Sequence, residues 1–204
     1  MSLQLIDIPA EINRRPITPS ARHLIDVANL RIETYSRNPP KTIENFVHCD
    51  FHLVDQSLDW IVENHLLAGD RFCELGSGFG VATMLAALRG MDSIGIEIEP
   101  VLVKESQELA AQLDLNCDFY CGSFVPRGIF GLLELACEVE HVATEEGDVC
   151  DELRFGLDSV DIFFAFPWPG EHSFFETVFE SEASSGSLLL SYRGRDGMHL
   201  LRKV

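Results

Sequence analysis

A glycine-rich loop with an acidic residue on either side is the part of this sequence best suited to chemistry. Glu74 stands two residues before the Gly-x-Gly-x-Gly loop Gly76–Gly80, and Glu97 ends the next apolar segment. Glycines permit a tight turn and a close approach of backbone to ligand. A helix beginning after the loop would direct free N–H groups towards an anionic group. Glu97 can accept hydrogen bonds from both hydroxyls of a ribose. The pattern therefore predicts a site for a ribose-containing cofactor.

The acid before the loop discriminates between cofactors. Nicotinamide-binding folds favour G-x-G-x-x-G and have no need of a carboxylate there, because Glu74 would repel a pyrophosphate. S-adenosylmethionine (SAM) carries an ammonium and a sulfonium group, so the same carboxylate attracts it. Glu74 therefore favours SAM over NAD or NADP.

Two segments resemble motifs of a known superfamily. Phe72–Gly80 is similar to motif I of class I (Rossmann-like) SAM-dependent methyltransferases, and Gly95–Pro100 is similar to their second motif. The resemblance extends over about residues 55–192 and implies a role for each matching position. Glu74 and the loop residues Gly76, Ser77, Gly78 and Gly80 would hold the methionine part of SAM. Glu97 would hold the ribose, and Ile98 would contact the adenine.

Later segments match the superfamily less well. Ser123-Phe124 follows the third strand, where the family usually has Asp to bind the adenine amino group, and Ser123 can accept one hydrogen bond there. Phe166-Pro167-Trp168 occupies the position of motif IV, which often reads Asn-Pro-Pro-Tyr in amino-directed members. The string is also similar to that of tRNA guanine-7 methyltransferases, whose preceding Asp-Pro and following basic residues are absent. It forms either an aromatic wall beside the sulfonium or a packed corner.

The segment Phe46–Phe51 weakly resembles the loop that precedes the domain in class I protein-lysine methyltransferases. His48 and Asp50 are therefore candidate lid or substrate contacts, although a surface loop explains them as well. We predict no metal, because the histidines and the six cysteines lack ligand spacing. We also expect the cysteines to be reduced thiols.

Hydrophobic spacing predicts alternating strands and helices. The predicted strands are Arg71–Leu75, Ser93–Ile98, Cys117–Cys121, Val160–Phe164, Ser187–Tyr192 and Met198–Val204. The predicted helices are Ser20–Ser36 with Ser20 as N-cap, Asp55–Leu67 with Gly69 as C-cap, Val81–Leu88, Pro100–Leu113 and Ile129–Cys137. The fold class is α/β, with a doubly wound, mostly parallel Rossmann-like sheet of about six strands and helices on both faces.

The chain of 204 residues predicts one main domain. We expect residues 1–45 to form an N-terminal arm or helix that packs on the core or caps a site. We expect residues 46–204 to form the SAM-binding domain, with an acidic insertion at about 125–159 that is either solvated or acts as a lid or partner surface.

The charge of this sequence limits its partners. The net charge is −18, and such a surface disfavours nucleic acid and suits a cationic small molecule or a basic protein. No apolar run is long enough to span a bilayer. No signal peptide is evident either, so we expect a cytoplasmic protein without a membrane partner.

Three functions remain open at this stage. The first is SAM-dependent methyl transfer to a small molecule or a protein amine, for which no residue stands out as a base. The second is a non-catalytic SAM-binding or partner module on the same fold, which Ser123 favours. The third, a nucleotide-dependent oxidoreductase, is disfavoured by Glu74. The methyl acceptor and the oligomeric state are not determined by the sequence.

Overall fold

The computed structural model describes residues 2–37, 49–126, 139–140, 142 and 149–204. The strands in these ranges are β1 Leu3–Ile6, β2 Arg71–Leu75, β3 Asp92–Glu97, β4 Asp118–Cys121, β5 Ile162–Ala165, β6 Leu188–Tyr192 and β7 Met198–Lys203. The α-helices are α1 Pro19–Arg37, α2 Phe51–Glu63, α3 Val81–Ala87, α4 Pro100–Gln112 and α5 His172–Glu182. The six predicted strands are confirmed, as are the helices that became α3 and α4.

The seven strands form one sheet in the order β1-β7-β6-β5-β2-β3-β4. Strands β2 to β6 pair in parallel, whereas β7 is antiparallel to both of its neighbours. The chain moves from β2 outward through β3 and β4, and then returns to the other side of β2 with β5. The carboxyl end of β2 therefore lies at the switch point where doubly wound sheets bind ligands.

The prediction of about six strands is wrong by one, because β1 adds an edge strand. Leu3 of β1 lies opposite Lys203 of β7, and Ile6 lies opposite Leu200. The strand has only four residues, and its middle two are exposed. Four residues are too few for an alternating apolar pattern to be distinctive, so only the pairing with β7 reveals this edge strand.

Helices cover both faces of the sheet, as predicted. Successive side chains of a strand point to opposite faces. Phe72 and Phe164 accordingly belong to the core cluster under α1 to α4. Cys73 and Phe163 belong to the second cluster, under α5. Helix α5 is an addition to the predicted elements, and its buried Phe174, Phe175, Val178 and Phe179 have helical spacing.

The N-terminal helix α1 packs on the core through one face. Its buried residues are Ala21, Leu24, Ile25, Ala28 and Ile32. The side-chain oxygen of Thr18 accepts a hydrogen bond from the backbone N–H of Ala21 at 3.2 Å. Thr18 is therefore the N-cap, because Pro19 begins the helix. The prediction of Ser20 as N-cap is wrong by two residues.

Helix α2 lies one turn earlier than predicted. Asp50 caps its beginning, where Oδ1 accepts a hydrogen bond from Leu53 N at 3.1 Å. The helix ends at Glu63, and His65 then adopts a left-handed conformation with φ 52°. Gly69 is therefore not the C-cap. The left-handed residue that follows the helix is His65, which is not a glycine and stands two residues after Glu63.

Three predicted features lie outside the described residues in whole or in part. The proposed domain boundary at residues 45 and 46 falls in the range 38–48, and the predicted helix Ile129–Cys137 falls in 127–138. Most of the acidic insertion at about 125–159 also lies outside the described residues.

Candidate functional site

The glycine loop follows β2 at the switch point and is held by the neighbouring strand. Gly76 N and Ser77 N both donate to Ile96 O, each at 2.9 Å. Gly76, Gly78 and Gly80 have φ values of 76°, 52° and 70°. This left-handed region is unfavourable for residues with a Cβ, which explains the three glycines.

The glycines of the loop serve different purposes. A Cβ on Gly80 would lie 2.2 Å from the Phe119 ring, so this glycine allows α3 to pack against β4. A Cβ on Gly76 would meet no atom within 4 Å. Gly76 therefore borders open space, as a ligand-binding position requires. Gly80, in contrast, does not line the cavity that the loop helps to form.

Glu74 holds the first turn of the helix that follows the loop. Its Oε2 accepts hydrogen bonds from Thr83 N at 2.8 Å and from Thr83 Oγ1 at 2.6 Å. Gly80, the N-cap of α3, has no side chain to do this, so Glu74 replaces the missing cap. Burial raises the pKa of Glu74 to about 8, against the opposing effect of the two Thr83 hydrogen bonds.

Glu97 connects the end of β3 to the glycine loop. Its Oε2 accepts from Gly78 N at 2.7 Å, and its Oε1 accepts from Glu99 N at 3.0 Å. Burial raises the pKa of Glu97, and the backbone hydrogen bonds oppose that shift. Each carboxylate oxygen has two acceptor sites, so Glu97 can still accept from the hydroxyls of a ligand.

The end of β4 contributes Ser123 and Phe124. Both line the cavity with Ile98, and Ser123 is 3% exposed. The Ser123 hydroxyl oxygen accepts a hydrogen bond from Val125 N at 3.1 Å. The oxygen predicted to receive an adenine amino group therefore already has one donor.

The loop after β5 forms an aromatic wall. The Phe166 ring stacks on Tyr192, with centroids 5.0 Å apart and an interplanar angle of 16°. Phe166 and Trp168 line the same cavity as Glu74 and Glu97. Pro167 between them is buried and does not line it.

These segments enclose one cavity of about 380 Å³, a volume within the range of small-molecule sites. Ser77 lines it and is 5% exposed, and its hydroxyl oxygen has no hydrogen-bond partner. A buried hydroxyl without a partner is unfavourable unless a ligand supplies one. The unpartnered hydroxyl, the open space at Gly76 and the carboxylates of Glu74 and Glu97 fit a cofactor with an amino-acid part and a ribose.

The remaining predicted substrate contacts are Asp50 and His48. Asp50 is exposed and serves as the cap of α2, outside the cavity lining. His48 lies outside the described residues.

The structure also identifies lining residues that sequence reasoning missed. They include Cys49, Phe51, Phe79, Glu99, Glu140, Glu171 and Phe175. A signal was available for Glu171, since it directly follows Trp168-Pro169-Gly170. Its burial could not be foreseen, because glutamate is usually exposed.

In the described ranges, no three His, Cys, Asp or Glu side chains form a group that could hold a metal ion. No helix among those residues combines the length and apolar content needed to cross a bilayer.

Solved structures share this fold, although no protein-family model matches the sequence and no curated protein matches it. An RNA methyltransferase from Salinibacter ruber in complex with S-adenosylhomocysteine (SAH) has 20% identity and a TM-score of 0.51. The similarity covers 77% of this chain and 92% of that one. A SAH-bound methyltransferase from Podospora anserina has 11% identity and a TM-score of 0.54, covering 89% of this chain and 66% of that one.

An O-methyltransferase from Bacillus cereus in complex with SAH is similar over 86% of this chain and 66% of that one, at 10% identity and a TM-score of 0.51. All three similarities are below the identity at which function can be transferred, so they bear on the fold. Together with the sheet order and the loop at its switch point, they establish that this chain has the fold of class I (Rossmann-like) SAM-dependent methyltransferases.

Proposed function

We propose that this chain binds SAM in the cavity and transfers its methyl group to an amine of a small molecule or a protein. The observation that carries the proposal is the convergence in one cavity of the glycine loop, Glu97 and the wall of Phe166 and Trp168. The buried, unpartnered hydroxyl of Ser77 supports a ligand at the loop. Solved structures with this fold and SAH bound support the same cofactor.

The proposed roles follow the fold. Glu74, Gly76, Ser77 and Gly78 hold the methionine part, and Gly80 supports them by allowing close packing. Glu97 accepts from the ribose hydroxyls while it fixes Gly78. Ile98, Phe124 and Ser123 surround the adenine. The arm of residues 1–45 acts as a cap, which is supported by the edge-on contact of Tyr35 in α1 with Phe79 in the loop, at 5.5 Å between ring centroids.

SAM supplies a methyl group on a positively charged sulfur, and the acceptor's lone pair takes it as SAH leaves. The chain's part is to orient the two molecules and to exclude water from between them. A neutral amine needs no base to act as nucleophile. This agrees with a wall, Phe166 and Trp168, whose side chains cannot remove a proton.

An amine acceptor is favoured over nucleic acid by the cavity's charge. The described lining residues include five glutamates and no Lys, Arg or His. Phosphate backbones are bound mainly through basic side chains. The net charge of −18 also disfavours binding of nucleic acid. It favours a basic protein or a small cation as the acceptor.

A second candidate function is a non-catalytic SAM-binding or partner module on the same fold. It is favoured by Ser123, whose oxygen already accepts from Val125 N. This arrangement weakens the expected hold on the adenine. A module of this kind would bind SAH without methylating any acceptor.

Calorimetry tests the proposal with SAM, SAH, NADH and NADPH. We expect SAM and SAH to bind with a dissociation constant of about 1 µM or tighter, roughly −8 kcal/mol. Equal or tighter binding of NADH would refute the cofactor assignment. Incubation with methyl-labelled SAM and a set of primary amines, followed by mass spectrometry, then separates the enzyme from the binding module.

A further inference from the structure

Thr83 is a fully buried residue in the first turn of α3 that contacts Glu74 twice. Its backbone N donates to Glu74 Oε2 at 2.8 Å, and its Oγ1 donates to the same oxygen at 2.6 Å. A threonine hydroxyl in a helix commonly bonds a backbone carbonyl of the preceding turn. Thr83 instead directs both of its donors at one acid on the strand before the glycine loop.

The two contacts decide which oxygen of Glu74 faces the cavity. Both hydrogen bonds end on Oε2, and neither uses Oε1. Glu74 lines the cavity beside Gly76 and Ser77. Two donors from one rigid turn leave the carboxylate little freedom to rotate, so Oε1 is the oxygen that a ligand in the cavity can reach.

The same contacts affect the charge of Glu74. Burial raises the pKa of this carboxyl to about 8, the two Thr83 hydrogen bonds lower it, and the charge of Glu97 raises it. A hydrogen bond donated to a carboxylate favours its charged form. Without the Thr83 hydroxyl, a smaller fraction of Glu74 would therefore be ionised at neutral pH.

Other titratable groups near Glu74 do not share this dependence on Thr83. In the described part of the chain they are Glu97 on β3, Cys49 before α2, Cys73 on β2 and Cys117 before β4. Burial raises the pKa of all three thiols, that of Cys117 to about 12, so they stay neutral up to pH 9. Glu97 also titrates, but its hydrogen bonds come from the backbone of other segments and do not involve Thr83.

We propose that Thr83 is a positioning residue for the cofactor, which holds Glu74 by Oε2, keeps its carboxylate charged and leaves Oε1 for the ammonium group of SAM. The inference rests on the proposed function, in which the methionine part of SAM lies at Glu74. Thr83 itself touches no ligand, because its hydroxyl is buried against the acid. Its contribution passes entirely through Glu74.

Calorimetry with SAH on the full chain at pH 7 and pH 9 tests the inference with Thr83→Val, which removes the hydroxyl and keeps the shape of the side chain. Losing one hydrogen bond to a charged group raises the pKa of the acid by about one unit. Because the apparent affinity follows the ionised fraction, the variant should bind SAH about tenfold more weakly than the wild-type chain at pH 7 and only about twofold more weakly at pH 9. The ionisation of SAH itself is common to both chains and cancels in this ratio.

Further variants control for structural damage. Thr83→Ser keeps the hydroxyl and should restore most of the affinity at pH 7. Thr83→Ala removes the hydroxyl in a different way and should show the same pH-dependent loss, so it replaces Thr83→Val if that variant does not fold. Thr177→Val makes the matched change at an exposed position of α5 outside the cavity and should leave the affinity unchanged at both pH values. In a Glu74→Gln background, Thr83→Val should have the same effect at pH 7 and pH 9, because no carboxyl remains to titrate there.

The outcomes separate the two proposals. Absence of SAH binding in the wild-type chain would refute the proposed function itself. Normal SAH binding with a loss in Thr83→Val that is equal at pH 7 and pH 9 would refute only the role of Thr83, because damage to the cavity does not depend on pH. So would a Thr83→Ser variant as weak as Thr83→Val. On the wild-type chain alone, an SAH affinity that is the same at pH 6, 7 and 8 would also refute it, since the charge of Glu74 would then not matter.

Discussion

Glu74 combines a structural and an electrostatic role, and the two can be separated by substitution. Its Oε2 carries both hydrogen bonds to Thr83. In Glu74→Gln the amide oxygen can take over both of them, while the amide nitrogen replaces Oε1. The variant therefore keeps the cap of α3 and removes the negative charge. Glu74→Ala removes both and should be less stable by about 1–2 kcal/mol, the usual effect of losing a cap.

The magnitude of the charge effect follows from the pKa of Glu74, which burial raises to about 8. About one carboxyl in ten is then ionised at pH 7, and about one in a hundred at pH 6. If the ammonium of the cofactor requires the ionised form, the dissociation constant scales inversely with that fraction. The affinity for SAH should therefore rise about tenfold from pH 6 to pH 7 and about fivefold more from pH 7 to pH 8, and it should level off only above pH 8.

Calorimetry with SAH at pH 6, 7 and 8 measures this dependence in the wild-type chain and in Glu74→Gln. Glu74→Gln should bind SAH more weakly than the wild-type chain at pH 8, and its SAH affinity should depend little on pH. This comparison separates the titration of Glu74 from that of Glu97. Stability in the absence of ligand changes in the opposite sense. Because the folded-state pKa is raised, the folded chain holds the proton more tightly, and stability falls as pH rises from about 4.5 to about 8. A flat wild-type profile, or the same slope in Glu74→Gln, would refute the reasoning.

Four further predictions concern other parts of the site and the fold. Glu97→Gln should weaken SAH binding at least about tenfold in calorimetry, since its amide nitrogen must face the N–H of either Gly78 or Glu99; unchanged binding would exclude the assigned role. Gly80→Ala should lower the melting temperature more than Gly76→Ala, because only the former meets the Phe119 ring; equal losses would contradict the packing role. Trp168→Ala should change SAH affinity less than about threefold and cut amine methylation at least about tenfold; intact turnover would make the wall structural. Lys203→Met should lower stability in urea by about 1–3 kcal/mol at constant SAH affinity, since the buried Lys203 Nζ donates to Glu180 O and Ala183 O; full stability would show that water replaces the amine.

The periodicity of the sequence was sufficient for most of the fold. Strands β2 to β7 and helices α3 and α4 were predicted within two residues of their observed ends, because short apolar runs alternate with longer apolar or amphipathic segments and are bounded by turn residues. The loop at Gly76–Gly80 and Glu97 was also evident, since glycine spacing reports backbone conformation directly. The errors lie where this local signal is weak. β1 gains its place only by pairing with β7. Helix α2 ends at Glu63, and His65, which is not a glycine, adopts the left-handed conformation that follows the helix.

What the sequence by itself determined is the place of the glycine loop and of Glu97 at the ends of adjacent strands, because the motif spacing fixes which residues follow each strand. Tertiary structure alone decided how each group is used. Glu74 caps α3 through a contact with Thr83, and the hydroxyl of Ser123 is engaged by Val125. Asp50 turned from a candidate contact into a cap, whereas Glu171 became a buried acid in the cavity. The burial of a side chain and its hydrogen-bond partners depend on which distant segments of the chain come together. A local sequence pattern does not specify these long-range contacts.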